Sequence, residues 1–398
     1  MALSMSSARS VTMTLLPIMA AVMAGFVVIG VALPVLPLHV HDDLGFGTFV
    51  VGLVAGSQFA ASLFSRVWAG SFADRHGPKR GVMVGLIGAA AAGVLYLASL
   101  AFTEEPVISV AVLLIGRAVL GAAESFIITG GVSWGMGLVD SGQAGKVIAW
   151  GGTAMFLALA MGGPLGTMLF SGQGFVAVAW LTILVPLAVL ALLSRAPAVA
   201  PARNGKASSF GMVARQVWLP GIGAALSSIG YCAILAFSSL HYAQQSWHPI
   251  WLAFFAFGVA LIIARLTLSH LPDQRGGAAT ALAFVIVQAL GLALMWCARG
   301  PLIATAGAAL AGLGYSLVYP GLGVEAVRQI EPEYRGLAMG LYTAFLDLAM
   351  GLGSPALGLV ADAAGVGSIF LVSALTVLLT AGIALHIRRS AVSAAPYA

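Results

Sequence analysis

What this chain lacks most is charge. Only 8% of its 398 residues are Asp, Glu, Lys or Arg, while 60% are hydrophobic. A soluble domain keeps its surface wet with about a quarter of its residues charged. A water-soluble fold of this length is therefore excluded, and lipid must be the main solvent. Cysteine is nearly absent too. Cys232 and Cys297 both lie in apolar runs, which argues against a structural disulfide and leaves no metal spacing. There is no GxxxxGK[ST] loop for ATP, and no HExxH or paired cytoplasmic aspartates for a membrane-embedded enzyme. No cofactor is implied. The cluster HVHDD at 39–43 has nothing to complete a metal shell and reads as a solvated loop.

Apolar runs of about 20 residues, enough to cross a ~30 Å hydrocarbon core, are present in abundance. Twelve are expected, at 12–37, 47–71, 80–101, 107–136, 145–170, 174–194, 214–241, 249–270, 278–298, 302–326, 335–361 and 366–387. The first is too long for a signal-peptide core and is followed by Pro34 and Pro37, so it is retained as a span. The 50 glycines suit close helix approach within a bilayer. The expectation is an all-α polytopic membrane protein. Residues 1–194 form one six-helix bundle, 195–213 a Pro/Ala/Ser-rich cytoplasmic linker, and 214–398 a second bundle.

Basic residues orient the spans. With the N-terminus inside, Arg9, Arg75, Lys79, Arg80, Lys146, Arg195, Arg203, Lys206, Arg215, Arg275, Arg328, Arg335, Arg388 and Arg389 are all cytoplasmic. Only Arg299 falls in an outer loop, a strong positive-inside bias that also supports the span count. Both termini are then cytoplasmic. The net charge of +5 suits anionic lipid and is no evidence for nucleic acid.

The halves repeat. Arg66, Asp74 and Gly77 match Arg265, Asp273 and Gly276 at an offset of 199, and Gly121 and Ser125 match Gly312 and Ser316 at 191. FLALAMG (156–162) matches FLDLAMG (345–351) at 189, with Asp347 where the first copy has Ala158. Two parallel-repeat halves with a substrate site between them form the architecture of a large transporter class.

Four stretches carry a specific resemblance: HVHDDLGF (39–46), SRVWAGSFADRHGPKR (65–80), RAVLGAAES (117–125) and RGLAMGLYTAFLDLAMG (335–351). The chain resembles the major facilitator superfamily over its whole length, and within it a group of bacterial efflux-type, drug:proton antiporter-like permeases. The resemblance implies alternating access, proton-coupled efflux of a small organic molecule, a bacterial inner membrane location and a monomer. Two features depart from the drug-antiporter pattern. Gly163-Pro164 keeps only part of the fifth-helix glycine motif, and span 1 has no acidic residue. An uptake symporter of a sugar or small metabolite is the alternative direction. A non-transporting receptor or scaffold would usually carry a sensory or docking domain.

Candidate residues follow from cost and position. A charge inside the bilayer costs at least ~2.5–3.5 kcal/mol, so Asp347, Glu124 and Arg117 should face protein or water. The proton-coupling reading has a carboxylate take up a proton in a dry site and release it when a guanidinium approaches. The competing reading makes them structural charges. Arg117 and Glu124 are seven residues and about 10 Å apart on one helix face, too far for a direct pair. Gln58, Trp134, Trp150, Tyr231, Tyr315, Tyr319 and Tyr342 are candidate substrate-cavity residues, although tyrosine and tryptophan also anchor helices at membrane interfaces. Arg66, Gly70, Asp74, Arg75, Gly77, Arg80, Arg265 and Asp273 form the candidate conformational latch. There Asp74 would face the start of helix 11 near Pro332 to Gly336, Gly70 would permit close packing, and Gly77 a tight turn. For Arg66 and Arg265 a hydrogen-bonded brace snorkelling toward the cytoplasm is also open.

Overall fold

A computed structural model describes residues 2–139, 144–200, 210–328, 330–331 and 334–393; the side chains of 2–12, 144–146, 148–149, 210 and 391–393 are not described. The linker segment 201–209, Pro332, and the side chains of Arg9, Lys146, Arg203 and Lys206 thus lie outside the described residues. Twelve principal helices are α1 (Ala2–Ala32), α2 (Thr48–His76), α3 (Pro78–Leu100), α4 (Pro106–Leu138), α5 (Ala144–Gln173), α6 (Phe175–Leu193), α7 (Phe210–Gln244), α8 (Leu252–Leu268), α9 (Gly277–Trp296), α10 (Pro301–Val327), α11 (Arg335–Ala364) and α12 (Ser368–Ser393). Among the described residues eleven are long and apolar enough to cross a membrane, and α8 is a shorter apolar helix.

Boundaries follow local chemistry. Pro34 disfavours helical backbone in the residue before it, and α1 ends at Ala32, earlier than the expected 37. Pro78, Pro106 and Pro301 open α3, α4 and α10, where the missing N–H costs nothing. The expected span 249–270 is shortened: α8 stops at Leu268, and a separate turn of helix, Leu271–Arg275, carries Asp273. Arg66 and Asp74 share the continuous helix α2, but Arg265 and Asp273 do not share one. Gly77 (φ 92°) and Gly276 (φ 86°), related by the repeat, start α3 and α9 in the same left-handed conformation.

By contacts the chain forms two compact units. The first holds Met1–Val35 and Ser57–Gly205, the second Leu36–Gly56 and Lys206–Ala398. In the first, the dominant packing pairs are α3 with α4, α1 with α5, and α3 with α6. The second includes α9 with α10, α7 with α11, and α9 with α12, each the first set shifted by six helices. The repeat read from three short matches is thus a repeat of packing.

Candidate functional site

In the first unit a polar seam joins α2 to α4. Gly121 makes room for it: a Cβ there would collide with the backbone carbonyl of Gln58. That approach lets the Gln58 amide donate from Nε2 to Glu124 Oε2 at 2.7 Å, buried on both sides. One turn along, the Ser125 hydroxyl donates to the Ser62 carbonyl at 3.0 Å, and the two hydroxyls lie 2.9 Å apart. Arg117 is fully buried two turns from Glu124 and has the Tyr96 hydroxyl of α3 as an electrostatic neighbour. As their spacing requires, the arginine and the glutamate meet groups on different neighbouring helices.

The second unit repeats the geometry with other chemistry. A Cβ at Gly312 would collide with the Phe257 carbonyl, the repeat equivalent of Gly121 on Gln58. Tyr315 stands at the position equivalent to Glu124, 191 residues on. Its ring stacks on Tyr231, centroids 4.7 Å apart and planes within 7°, and Tyr231 packs on Phe257 at 5.6 Å. The Ser228 and Tyr315 hydroxyls are 3.3 Å apart. Tyr319 and Tyr342 have ring centroids 4.9 Å apart; the Tyr342 hydroxyl donates to the Tyr319 carbonyl at 2.6 Å, and the Tyr319 hydroxyl meets Thr343 Oγ1 at 3.0 Å. Arg265, half-buried on α8, has Tyr315, Tyr319 and Tyr231 as electrostatic neighbours. All four candidate cavity tyrosines therefore gather in one aromatic cluster. Arg265, first grouped with the latch, lies in the same electrostatic neighbourhood.

Asp347 is 2% exposed, on the thirteenth residue of α11. Its repeat partner Ala158 backs onto Gly30 of α1. Trp134 is fully buried and donates from Nε1 to the Pro197 carbonyl at 3.0 Å, tying the end of α4 to the chain after α6. Trp150 is 39% exposed and lines a small crevice with Leu15, Ile18 and Val22 of α1. Asp74, Arg75, Arg80 and Asp273 are exposed, and Arg66 is half-buried. A Cβ at Gly70 would meet nothing within 4 Å, so the close packing expected there has no neighbour in this structure, while Gly77 keeps its turn role. Within HVHDD, His39 Nδ1–H donates to Asp43 Oδ2 at 2.7 Å and His41 Nδ1–H to the Phe46 carbonyl at 2.8 Å.

Several structured polar groups escaped sequence reasoning. Gln288 of α9 accepts from Ser227 Oγ at 2.7 Å and donates to the Ser227 carbonyl at 2.8 Å. The rule that singled out Gln58, a lone amide in an apolar span, would have found it. Lys79 donates to the Ser194 and Ala196 carbonyls (3.0 and 2.6 Å), capping the negative end of α6. Asp362 accepts from the Thr48 amide (2.8 Å), the Thr48 hydroxyl (2.6 Å) and the Phe49 amide (3.0 Å) at the start of α2. Those partners lie more than 300 residues apart, and no local signal links them.

A sequence profile described as the Major Facilitator Superfamily matches residues 18–295 and 221–396. An uncharacterized MFS-type transporter of Salmonella typhimurium strain LT2 is 39% identical over 375 residues, covering 94% of this chain and 96% of that protein. One from Pseudomonas aeruginosa strain UCBPP-PA14 is 40% identical over 402 residues, covering 97% and 96%. Among solved structures, the nucleoside transporter NupG superposes with a TM-score of 0.75 at 15% identity, over 94% of this chain and 99% of that one. The human organic anion transporter MFSD10 gives 0.69 at 16%, over 93% and 98%.

Proposed function

The chain belongs to the Major Facilitator Superfamily and is a multi-pass membrane transporter rather than an enzyme, and from that premise we propose proton-coupled export of a small organic molecule. The observation that supports this reading is the chemical asymmetry at repeat-equivalent positions. One unit places a buried carboxylate, Glu124, on a neutral amide; the other places a stacked tyrosine, Tyr315, beside an arginine. The first set is suited to a proton and the second to a substrate.

Gln58 suits a partner that changes protonation. Its Nε2–H donates to the ionised Glu124 carboxylate, and after rotation its Oε1 can accept the proton of the neutral acid. Asp347, also buried at mid-helix, is the second proton-carrying group. Arg117 supplies the positive charge that favours proton release. Tyr231, Tyr315, Tyr319, Tyr342 and Arg265 offer aromatic faces, hydroxyl donors and a guanidinium to the substrate. Asp74 and its neighbours at the α2–α3 turn set the balance between transport states. The excess of basic residues in these loops supports a cytoplasmic location for this end of the helices and for both termini, in a bacterial inner membrane. The chain works as a monomer of two six-helix halves, 1–194 and 214–398. Export rather than uptake is supported by the likeness of RAVLGAAES (117–125) to efflux-type permeases.

Proteoliposomes with an imposed pH gradient test the core of this reading. Glu124→Gln and Asp347→Asn should each abolish gradient-driven flux while the protein stays folded. Full flux in both single variants and in the double variant would sink the proton role. Everted vesicles challenged with a compound panel should release protons when substrate is added; proton uptake instead would identify a symporter.

A further inference from the structure

A cleft of about 330 Å³ opens in the second unit where α7 begins and α10 and α12 end. Its walls include Arg215, Trp218, Glu325, Arg328, His386 and Ser390. Arg215 and Trp218 are three residues apart and so share a face of α7; His386 and Ser390, four apart, share a face of α12. Guanidiniums outnumber the carboxylate in this wall, and the carboxylate is already engaged. Glu325 Oε1 accepts from the Ala278 amide at 3.1 Å, and Oε2 holds Arg328 Nη1 at 3.5 Å. Glu325 thus anchors Arg328 to the cleft wall while the arginine side chain remains 59% exposed, with donors to spare. Trp218, 51% exposed, and the aliphatic neighbours Leu219 and Ile387 give the same cleft an apolar side.

Guanidinium forks fit phosphate oxygens, tryptophan favours headgroup depth, and basic pockets between membrane helices collect anionic headgroups. From this combination we infer that the cleft binds the headgroup of an anionic phospholipid. Arg215 and Arg328 take the phosphate, Trp218 lies along the glycerol and first acyl carbons, and His386 and Ser390 meet the headgroup hydroxyls. The guanidiniums alone would equally accept free phosphate; the exposed indole and aliphatic wall favour the lipid. None of these residues has a part in the transport reading above, so the site stands or falls independently of it.

The test uses the purified full-length protein in neutral detergent, titrated separately with phosphatidylglycerol, phosphatidylcholine and inorganic phosphate. Bound lipid is counted by native mass spectrometry and stability is followed by thermal melting. Phosphatidylglycerol should bind saturably and raise Tm, whereas the other two should not. Arg215→Gln/Arg328→Gln should weaken phosphatidylglycerol binding roughly twenty-five-fold, at about fivefold per arginine. Arg388→Gln/Arg389→Gln, which changes basic residues outside the cleft wall, should leave binding unchanged. If the cleft double variant does not fold, Arg215→Gln alone carries the test with a loss of about fivefold. Unchanged binding in the cleft variant, an equal loss in both double variants, or equal stabilisation by inorganic phosphate would overturn the assignment.

Discussion

Gly121 and Gly312 show how single residues set the chemistry available around them. Each is the contact point at which a helix comes close enough for its neighbour's carbonyl to occupy the space of a Cβ. Only the first approach serves a polar pair, because the partner there is Gln58 and not Phe257. Gly121→Ala should therefore force α2 and α4 apart and lower stability by about 1–3 kcal/mol, as overpacking does. Gly70→Ala, facing open space, should leave Tm unchanged or slightly raised. Thermal melts of the two variants side by side check the contrast. At this scale the sequence picked out residues that the structure places in polar and aromatic contacts. Gln58, Glu124 and the four tyrosines stood out because polar groups are expensive in lipid. Their partners did not stand out. Helical spacing says which residues share a face, but not which neighbouring helix that face meets, so Tyr96 beside Arg117 and Arg265 beside the tyrosines required coordinates.

Helix ends obey a different logic, since each leaves unpaired amides or carbonyls that must be satisfied. Proline and glycine marked many of these ends in advance, and the starts of α3, α4, α9 and α10 fell within two residues of expectation. The caps themselves are tertiary. Asp362, near the end of α11, takes two backbone amides and a hydroxyl at the start of α2. The Thr48 hydroxyl also reaches the Gly358 carbonyl at 2.8 Å, where a Cβ on the glycine would collide with the Thr48 carbonyl. Asp362→Ala removes every one of the carboxylate's bonds and should destabilise the fold by ~1–2 kcal/mol, the usual worth of an N-terminal cap. Thr48→Val keeps the backbone amide bond and should cost less. An unchanged melting temperature in Asp362→Ala would show that the cap contributes nothing to stability.

On the scale of the whole molecule, the two units share a packing scheme but carry different functional groups. Under the proposed function, the first set of groups handles the proton and the second the substrate. Under this reading Asp74, exposed in the last turn of α2, acts on the transition between states and not on the ligand. Asp74→Asn should slow turnover with little change in substrate affinity, measured as flux and as binding in the same preparation. A large loss of affinity with normal turnover would argue for a binding role instead.

Sequence alone determined the membrane class, the run of apolar helices and the twofold repeat. Each is a property summed over many residues: hydropathy, span length and recurring letters survive without knowing any contact. The tertiary structure decided which buried groups meet. It paired Glu124 with Gln58, placed Tyr315 at the equivalent position on Tyr231, and closed α2 with Asp362. Those outcomes depend on close helix approach at glycines and on contacts between residues far apart in the chain, which local pattern does not encode.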